Sequence, residues 1–323
     1  MKITVIVPTY CRPQDLNRCL GGLKQQSRLA DEIIITIRDT DIDTWEFWHS
    51  YDRELLPVKA LTVKVTGVVA AMNLGLDAAT GDIVSFIDDD AVPHENWLAQ
   101  IEAHFVANPA LAGVGGRDRM YKGNNLIEGQ KLIVGKLQSF GRIIGNHHLG
   151  IGTAREVDIL KGVNMSYRRK AIADIRFDRR MKGTGAQVHF EVAFCLSLKR
   201  AGGQLIYDPQ IVVDHYLAQR FDEDRRNQFN AVAFSNEVHN ETLAIVEHFS
   251  PQQRILFALW MTLIGTRKAF GLFQLLRFLP TEGTLALKKW LLSMRGRRQG
   301  WLTWQKSNNL KPNSSILSKE IVR

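Results

Sequence analysis

The chain is poor in several things that would place it in a large class at once. Its cysteines are three, Cys11, Cys19 and Cys195, with no CxxC pair among them. An odd, scattered set gives no disulfide framework and no cysteine-based zinc site, and fits a reduced, cytosolic setting. No apolar run reaches the roughly 18–20 residues that a spanning helix needs. No GxGxxG follows the first apolar run, which disfavours a dinucleotide-binding fold. The opening MKITVIVPTY has a single Lys, a short apolar run and then Pro8, with no small-residue cleavage site. It reads as a first β-strand rather than a signal peptide. Positive charge is also scarce where a nucleic-acid binder would need it. Residues 254–323 hold 13 Lys and Arg against Glu282 and Glu320, and the net +9 leaves residues 1–253 at −2. A body without basic character is not expected to take a nucleic-acid partner.

What is present is an alternation of buried strands and amphipathic helices. ITVIV (3–7), EIIITI (32–37), LTVKV (61–65) and IVSFI (83–87) read as strands. Between and after them lie helical patterns: one opened by Arg12-Pro13 and carrying Leu16, Cys19, Leu20 and Leu23; VVAAMNLGLDAA (68–79); and one carrying Trp97, Ile101 and Phe105. Such alternation predicts a mostly parallel sheet with helices on both faces, where ligands sit outside the carboxyl ends of the strands. The glycine-rich stretch 109–160 is expected to be loops and short strands covering that crevice. FEVAFCLSLKRAGG (190–203) predicts a helix stopped by its glycines. QLIYDP and QIVVDH predict two short strands around Pro209.

The feature that calls for chemistry is SFIDDDAVP (85–93), three carboxylates directly after a buried strand. On an extended segment Asp88 and Asp90 point to the same side and Asp89 to the other. Oxygen ligands of this kind suit Mg²⁺ or Mn²⁺ beside a substrate phosphate. An acidic turn at the start of the next helix explains the same triplet without a ligand, through the helix dipole. The triplet alone does not choose. Thr9 and Asp39, which also follow strand ends, are placed to face the same crevice.

Taken together, IVPTYCRP (6–13), the strand ending at Asp39, AAMNLGLDAATGDIVSFIDDDAVP (70–93), LKGVNMSYRR (160–169) and the run from Glu191 through RAGG to YDPQIVVDH resemble the family-2 nucleotide-sugar glycosyltransferases, over about residues 1–220. The resemblance implies an α/β fold of the GT-A type and an inverting, metal-dependent transfer of a sugar from a nucleoside-diphosphate sugar. It implies roles position by position. Pro8, Thr9, Asp39, Asn73, Asp88 and Asp89 fall where the donor nucleotide is held. Asp90 falls at the direct ligand position for Mn²⁺ or Mg²⁺, and His215 near the metal or diphosphate. Asn164 lines the sugar or acceptor pocket, with His189 nearby. Glu191 is the implied general base, with Phe190 standing where the family often has a first acid. Met72 replaces a usual Arg, which leaves the diphosphate to other cations, Arg12 or Arg117 being the candidates. A non-catalytic sugar-nucleotide sensor and a sugar nucleotidyltransferase are the alternatives, the latter disfavoured because PTYCRPQ carries no phosphate-binding glycine.

The C-terminal part changes character. ILFALWMTLIG (255–265) and FGLFQLLRFL (270–279) are apolar runs separated by Arg267-Lys268. They read equally as a helical hairpin in the membrane interface or as a cap packed on the catalytic domain or on a second copy of the chain. The expected layout is a catalytic domain at 1–235, a basic, apolar helical extension at 236–300, and a flexible tail at 301–323. The expected acceptor is a glycan or polyprenol-linked glycan of the cell envelope, reached from the cytoplasmic face of the membrane.

Overall fold

The computed structural model describes residues 1–54, 56–225 and 228–310. Chain order begins β1 (Ile3–Thr9), α1 (Pro13–Lys24), β2 (Glu32–Arg38), α2 (Ile42–Ser50), β3 (Val58–Val63), α3 (Val68–Ala78), β4 (Ile83–Ile87), β5 (Ala91–Pro93), α4 (Trp97–Ala107) and β6 (Leu111–Lys122). Four two-residue strands follow, β7 (Asn125–Leu126), β8 (Lys136–Leu137), β9 (Ile143–Ile144) and β10 (Arg155–Glu156). Then come β11 (Asn164–Arg168), α5 (Phe190–Arg200), β12 (Gln204–Tyr216), α6 (Ala231–His248), α7 (Pro251–Leu263), α8 (Leu272–Glu282) and α9 (Thr284–Leu310).

The main sheet runs β10-β12-β6-β11-β4-β1-β2-β3, with β5 and β7 paired onto β12 and β6. β1 to β4 are parallel, and β11 is inserted antiparallel between β4 and β6. Side-chain alternation sorts the strands between two cores. Val5, Val7, Ile33, Ile35 and Ile37 pack with Leu16 and Leu20 of α1, whereas Ile6, Ile34, Val84 and Phe86 pack with α3 and α5 on the other face. Gly75 of α3 sits against β1, where an added Cβ would lie 2.6 Å from Ile6 Cγ2.

Two sequence expectations are corrected. The stretch read as covering loops contains β6, twelve residues long and inside the sheet. Its glycines answer to crowding, not to turns: a Cβ at Gly113 would meet Tyr167 and Leu205, and one at Gly116 would strike the Ile211 carbonyl. β12 is one strand rather than two, irregular between Asp208 and Val212, where β6 advances by one residue while β12 advances by four. Leu205 and Tyr207, before the bulge, belong to one core, and Ile211 and Val213, after it, to the other.

The helical unit begins at Ala231, a little before the boundary expected, and α9 continues to Leu310. Residues 301–310, expected in the flexible tail, are therefore helical; 311–323 lie outside the described residues. Gly296 and Gly300 let α9 press on α6, since a Cβ at either would come within 2.8 Å of the Ser235 or His239 carbonyl. Asn240 of α6 accepts from Lys182 N (2.8 Å) and donates to the carbonyls of Lys182 and Val188, fixing the loop before α5. Among the described residues no helix is long and apolar enough to cross a membrane.

Candidate active site

β1 delivers the chain to a cleft of about 610 Å³ at the carboxyl edge of the sheet, a size suited to a small-molecule ligand. After Thr9 the backbone turns sharply, with Cys11 at φ +55°. Asp41 holds that turn. Its carboxylate accepts from Cys11 N at 2.6 Å and from Thr44 N at 3.1 Å, the second bond capping α2. The turn aims Arg12 at the aspartates: its guanidinium lies 3.2 Å from Asp89 Oδ1 and 3.4 Å from Asp90 Oδ2.

The triplet sits between β4 and β5. β5 pairs antiparallel with β12, setting Ala91 opposite His215. Asp90 is tied on both sides, its carbonyl accepting from Tyr216 N (2.8 Å) and its Oδ2 from Ala218 N (3.0 Å). This pairing brings together residues 125 positions apart in the chain: His215 Nε2 is 3.3 Å from Asp90 Oδ1, and Nδ1 is 3.5 Å from Asp118 Oδ2. Lys161 Nζ donates to Asp118 Oδ2 at 2.6 Å.

Burial sets the electrostatics, and the neighbours decide each outcome. Burial pushes Asp88 up, and the charge of Asp90 pushes it further. Burial also drives Asp89 up to about 7 against the pull of Arg12. Asp90 is buried too, but His215, Arg12 and the Ala218 amide hold it well below the usual carboxylate range. Asp118 is likewise buried and held low by Lys161 and His215. Burial would lower His215, yet Asp118 and Asp90 raise it to about 9. An excess of buried negative charge around one imidazole is what a cation would relieve.

One donor atom each from Asp88, Asp90 and His215 lies within 4.8 Å of the others. Both ring nitrogens of His215 are buried without a well-aligned hydrogen bond. Two carboxylates and an imidazole fit a divalent cation of mixed oxygen and nitrogen preference, Mn²⁺ more readily than Mg²⁺.

The other residues singled out by sequence divide. Pro8, Thr9, Asp88, Asp89 and Glu191 line the cleft. Asp39 does not; its carboxylate pairs with Arg38, which does. Asn73 is buried in α3 and engages the backbone of Phe177 through both ends of its amide, at 2.9 Å each. Asn164 is also buried, accepting from Trp97 Nε1 and donating to the Ile211 carbonyl, each at 2.9 Å. Both side chains serve packing away from the cleft. His189 is the left-handed residue before α5 (φ +74°), 3.8 Å from Glu237, while its successors Phe190 and Glu191 face the cleft. Of the two cations considered as substitutes for the missing Arg, Arg12 is engaged by the aspartates, and Arg117 donates to the His148 carbonyl outside the cleft. Met72 is fully buried. Sequence reasoning missed Asp118 and Lys161, which join the site from β6 and the turn before β11: Asp118 stands in no motif, and Lys161, although inside LKGVNMSYRR, was given no role there. It also missed the loops 184–186 and 217–222, which contribute to the cleft lining.

The match to the glycosyl transferase family 2 model covers residues 4–176, and the chain belongs to that family. Relatives include a pre-mycofactocin glycosyltransferase of Mycobacterium tuberculosis, 31% identical over 46% of this chain and 30% of its own length. The chain thus spans about a third of the first relatives it matches. A glucosyl-dolichyl phosphate glucuronosyltransferase of Haloferax volcanii is 22% identical over 78% of this chain and 79% of its own. Among solved structures, S. aureus TarS 1–349 in complex with UDP-GlcNAc superposes with a TM-score of 0.62 at 17% identity, over 93% of this chain and 81% of that one. That likeness speaks to the fold, which is GT-A.

Proposed function

We propose that the protein is an inverting, metal-dependent glycosyltransferase that moves a sugar from a nucleoside-diphosphate sugar to a hydroxyl of a glycan or lipid-linked acceptor. The observation that carries this is the gathering of Asp88, Asp90 and His215 within 4.8 Å, in a cleft that Glu191 also lines. Family membership supports the reaction class, and the UDP-GlcNAc complex of the TarS neighbour supports the donor class. Asp88, Asp90 and His215 would hold Mn²⁺ or Mg²⁺, which when bound offsets the charge of the leaving diphosphate. Pro8 and Thr9 at the end of β1 border the space for the nucleotide, and Arg12 keeps Asp89 and Asp90 in place. Glu191 takes the proton of the acceptor hydroxyl. That oxygen bonds to the anomeric carbon as the bond from carbon to diphosphate oxygen breaks, and the nucleoside diphosphate leaves with the electron pair. A single displacement inverts the anomeric centre.

The acceptor belongs at a membrane surface. α7, α8 and the start of α9 turn Ile255, Leu259, Leu263, Phe273, Leu276 and Leu291 outward, each more than half exposed. Arg267, Arg277 and Lys288 are interspersed with them. Apolar residues flanked by cations suit the headgroup boundary of an anionic bilayer. One relative is named for a glucosyl-dolichyl phosphate and another for amylovoran biosynthesis, which agrees with a lipid-linked or glycan acceptor. A second copy of the chain is the competing occupant of this face.

The decisive experiment is a thermal-shift panel of nucleoside diphosphates and their sugars, with Mn²⁺ or with EDTA, followed by transfer assays on membrane extract with the best donor. Metal-dependent stabilisation by one nucleotide class and sugar transfer are expected. Binding with neither transfer nor hydrolysis would replace the enzyme by a sugar-nucleotide sensor.

A further inference from the structure

We propose that Lys268, carried by the C-terminal helical unit, binds a phosphate group in the cleft of the sheet unit, and that Arg297 is its positioning residue. The proposal rests on the nucleotide-sugar reading of the cleft given above.

Five Lys and Arg side chains line the cleft: Arg12, Arg38, Lys161, Arg220 and Lys268. Four are engaged by protein carboxylates. Arg12 faces Asp89 and Asp90, Arg38 faces Asp39, Lys161 faces Asp118, and Arg220 pairs with Asp224. Among the described residues, no carboxylate lies within ion-pair distance of Lys268, although its field reaches Glu241. A diphosphate entering a cleft already crowded with aspartates needs a cation that is not spent on the protein. Lys268 supplies it where Met72 does not.

The turn that carries Lys268 is built to hold still. Gly265 has φ +67°, and a Cβ there would meet Gly271 N at 2.2 Å, so the two strands of the knuckle touch backbone to backbone. Gly265 and Phe270 form an antiparallel bridge. Thr266 Oγ1 accepts from Lys268 N (3.2 Å) and Ala269 N (2.8 Å). From below, the buried guanidinium of Arg297 on α9 donates to the carbonyls of Ala269 (2.8 Å) and Phe270 (2.9 Å). Burying an arginine is costly unless its donors are used. Here two of them fix the two residues that follow Lys268, and only the lysine at the tip reaches the cleft.

The phosphate has two sources, the donor diphosphate and a phosphate of a lipid-linked acceptor, and calorimetry separates them. UDP, GDP and dTDP, with the matching monophosphates, are titrated into wild type, Lys268→Ala and Lys268→Arg, with Mn²⁺ and with EDTA. Farnesyl diphosphate is then titrated into each protein saturated with the best nucleotide. Lys268 is exposed, so Lys268→Ala is expected to melt as wild type does. A donor role predicts about tenfold weaker diphosphate binding, unchanged monophosphate binding and rescue by Lys268→Arg. An acceptor role predicts the tenfold loss for farnesyl diphosphate alone. Arg297→Met is expected to reproduce whichever loss is seen with Lys268 intact; if it does not fold, Thr266→Ala tests the same knuckle. Wild-type affinity of Lys268→Ala for both ligands, or equal losses for mono- and diphosphate, overturns the assignment. A wild-type protein that binds none of the nucleotides overturns the nucleotide-sugar reading instead.

Discussion

In the sheet unit, residues 3–216, charge is drawn inward, with carboxylates in excess. Asp89, Asp90, Asp118 and His215 are nearly inaccessible, and Arg12 and Lys161 reach in to meet them. In the helical unit, residues 231–310, apolar side chains are turned outward and cations stand among them. Its one deeply buried arginine, among the described residues, is met by carbonyls rather than by an ion-pair partner. The contrast separates two tasks. Concentrated negative charge at the end of a sheet makes sense around a cation and a phosphate-bearing donor. A greasy, basic outer face makes sense against a surface of opposite charge. The units are not independent, since Asn240 fixes the loop that leads into the cleft and Lys268 lines it. For that reason deletion of residues 254–323 is a poor test of membrane binding: it would remove the helix packed on α6 as well as the apolar face.

The comparison can be broken at several points. The largest effect is expected for Glu191→Gln, which should retain nucleotide affinity and lose transfer by about 10²-fold or more, the usual weight of a positioned base; turnover near wild type would take Glu191 out of the chemistry. Asp90→Ala should abolish the Mn²⁺-dependent part of nucleotide binding in calorimetry, and a surviving Mn²⁺ effect would place the cation elsewhere. On the other unit, the double change Phe273→Glu and Leu276→Glu should weaken sedimentation with phosphatidylglycerol vesicles by about tenfold or more, since burying each side chain is worth about 1.5–3 kcal/mol. If sedimentation is unchanged while the protein shifts from dimer to monomer in ultracentrifugation, the face belongs to a second copy.

Two smaller predictions concern the frame. Asn164→Ala leaves Trp97 Nε1 and the Ile211 carbonyl without their partners. It should cost about 2 kcal/mol or more in denaturant unfolding, with donor KM unchanged; a KM effect without a stability effect would return Asn164 to the pocket. Glu32 is raised by burial, but hydrogen bonds from Lys59, Thr4 and Thr80 outweigh this and hold it at about 2, below its ordinary 4.5. Its contribution to stability is therefore complete above about pH 4.5 and fades as pH falls towards 2. Unfolding of Glu32→Gln should lack that portion of the acid sensitivity.

Much of the sheet could be read from sequence because its strands are buried on both faces, and largely apolar runs such as IIITI and IVSFI have few other uses. The aspartates were legible through their place after such a run. β6 was not, because Gly113, Gly115 and Gly116 read as loop while answering to the bulk of Tyr167, Leu160 and Ile211. The partners of Asn73 and Asn164, Phe177 and Trp97, were not legible, because a motif position does not say which way an amide faces. Asp118 and Lys161 become visible once β6 and β11 are neighbours in the sheet. Lys268 stood in plain sight as a basic break between apolar runs, and its local context pointed outward to a membrane rather than inward to the cleft.

The irregular stretch of β12 has a consequence for how this scaffold could be altered. Between Asp208 and Val212 the strand gains three residues on β6, an odd number, so the side chains beyond it change face. His215 meets Asp90 and Asp118 only because of that parity. A deletion within 209–211 that slid His215 one residue against Ala91 and Met120 is expected to turn the imidazole to the opposite face and dismantle the cluster with each of its residues intact. The site is written in counting as much as in chemistry.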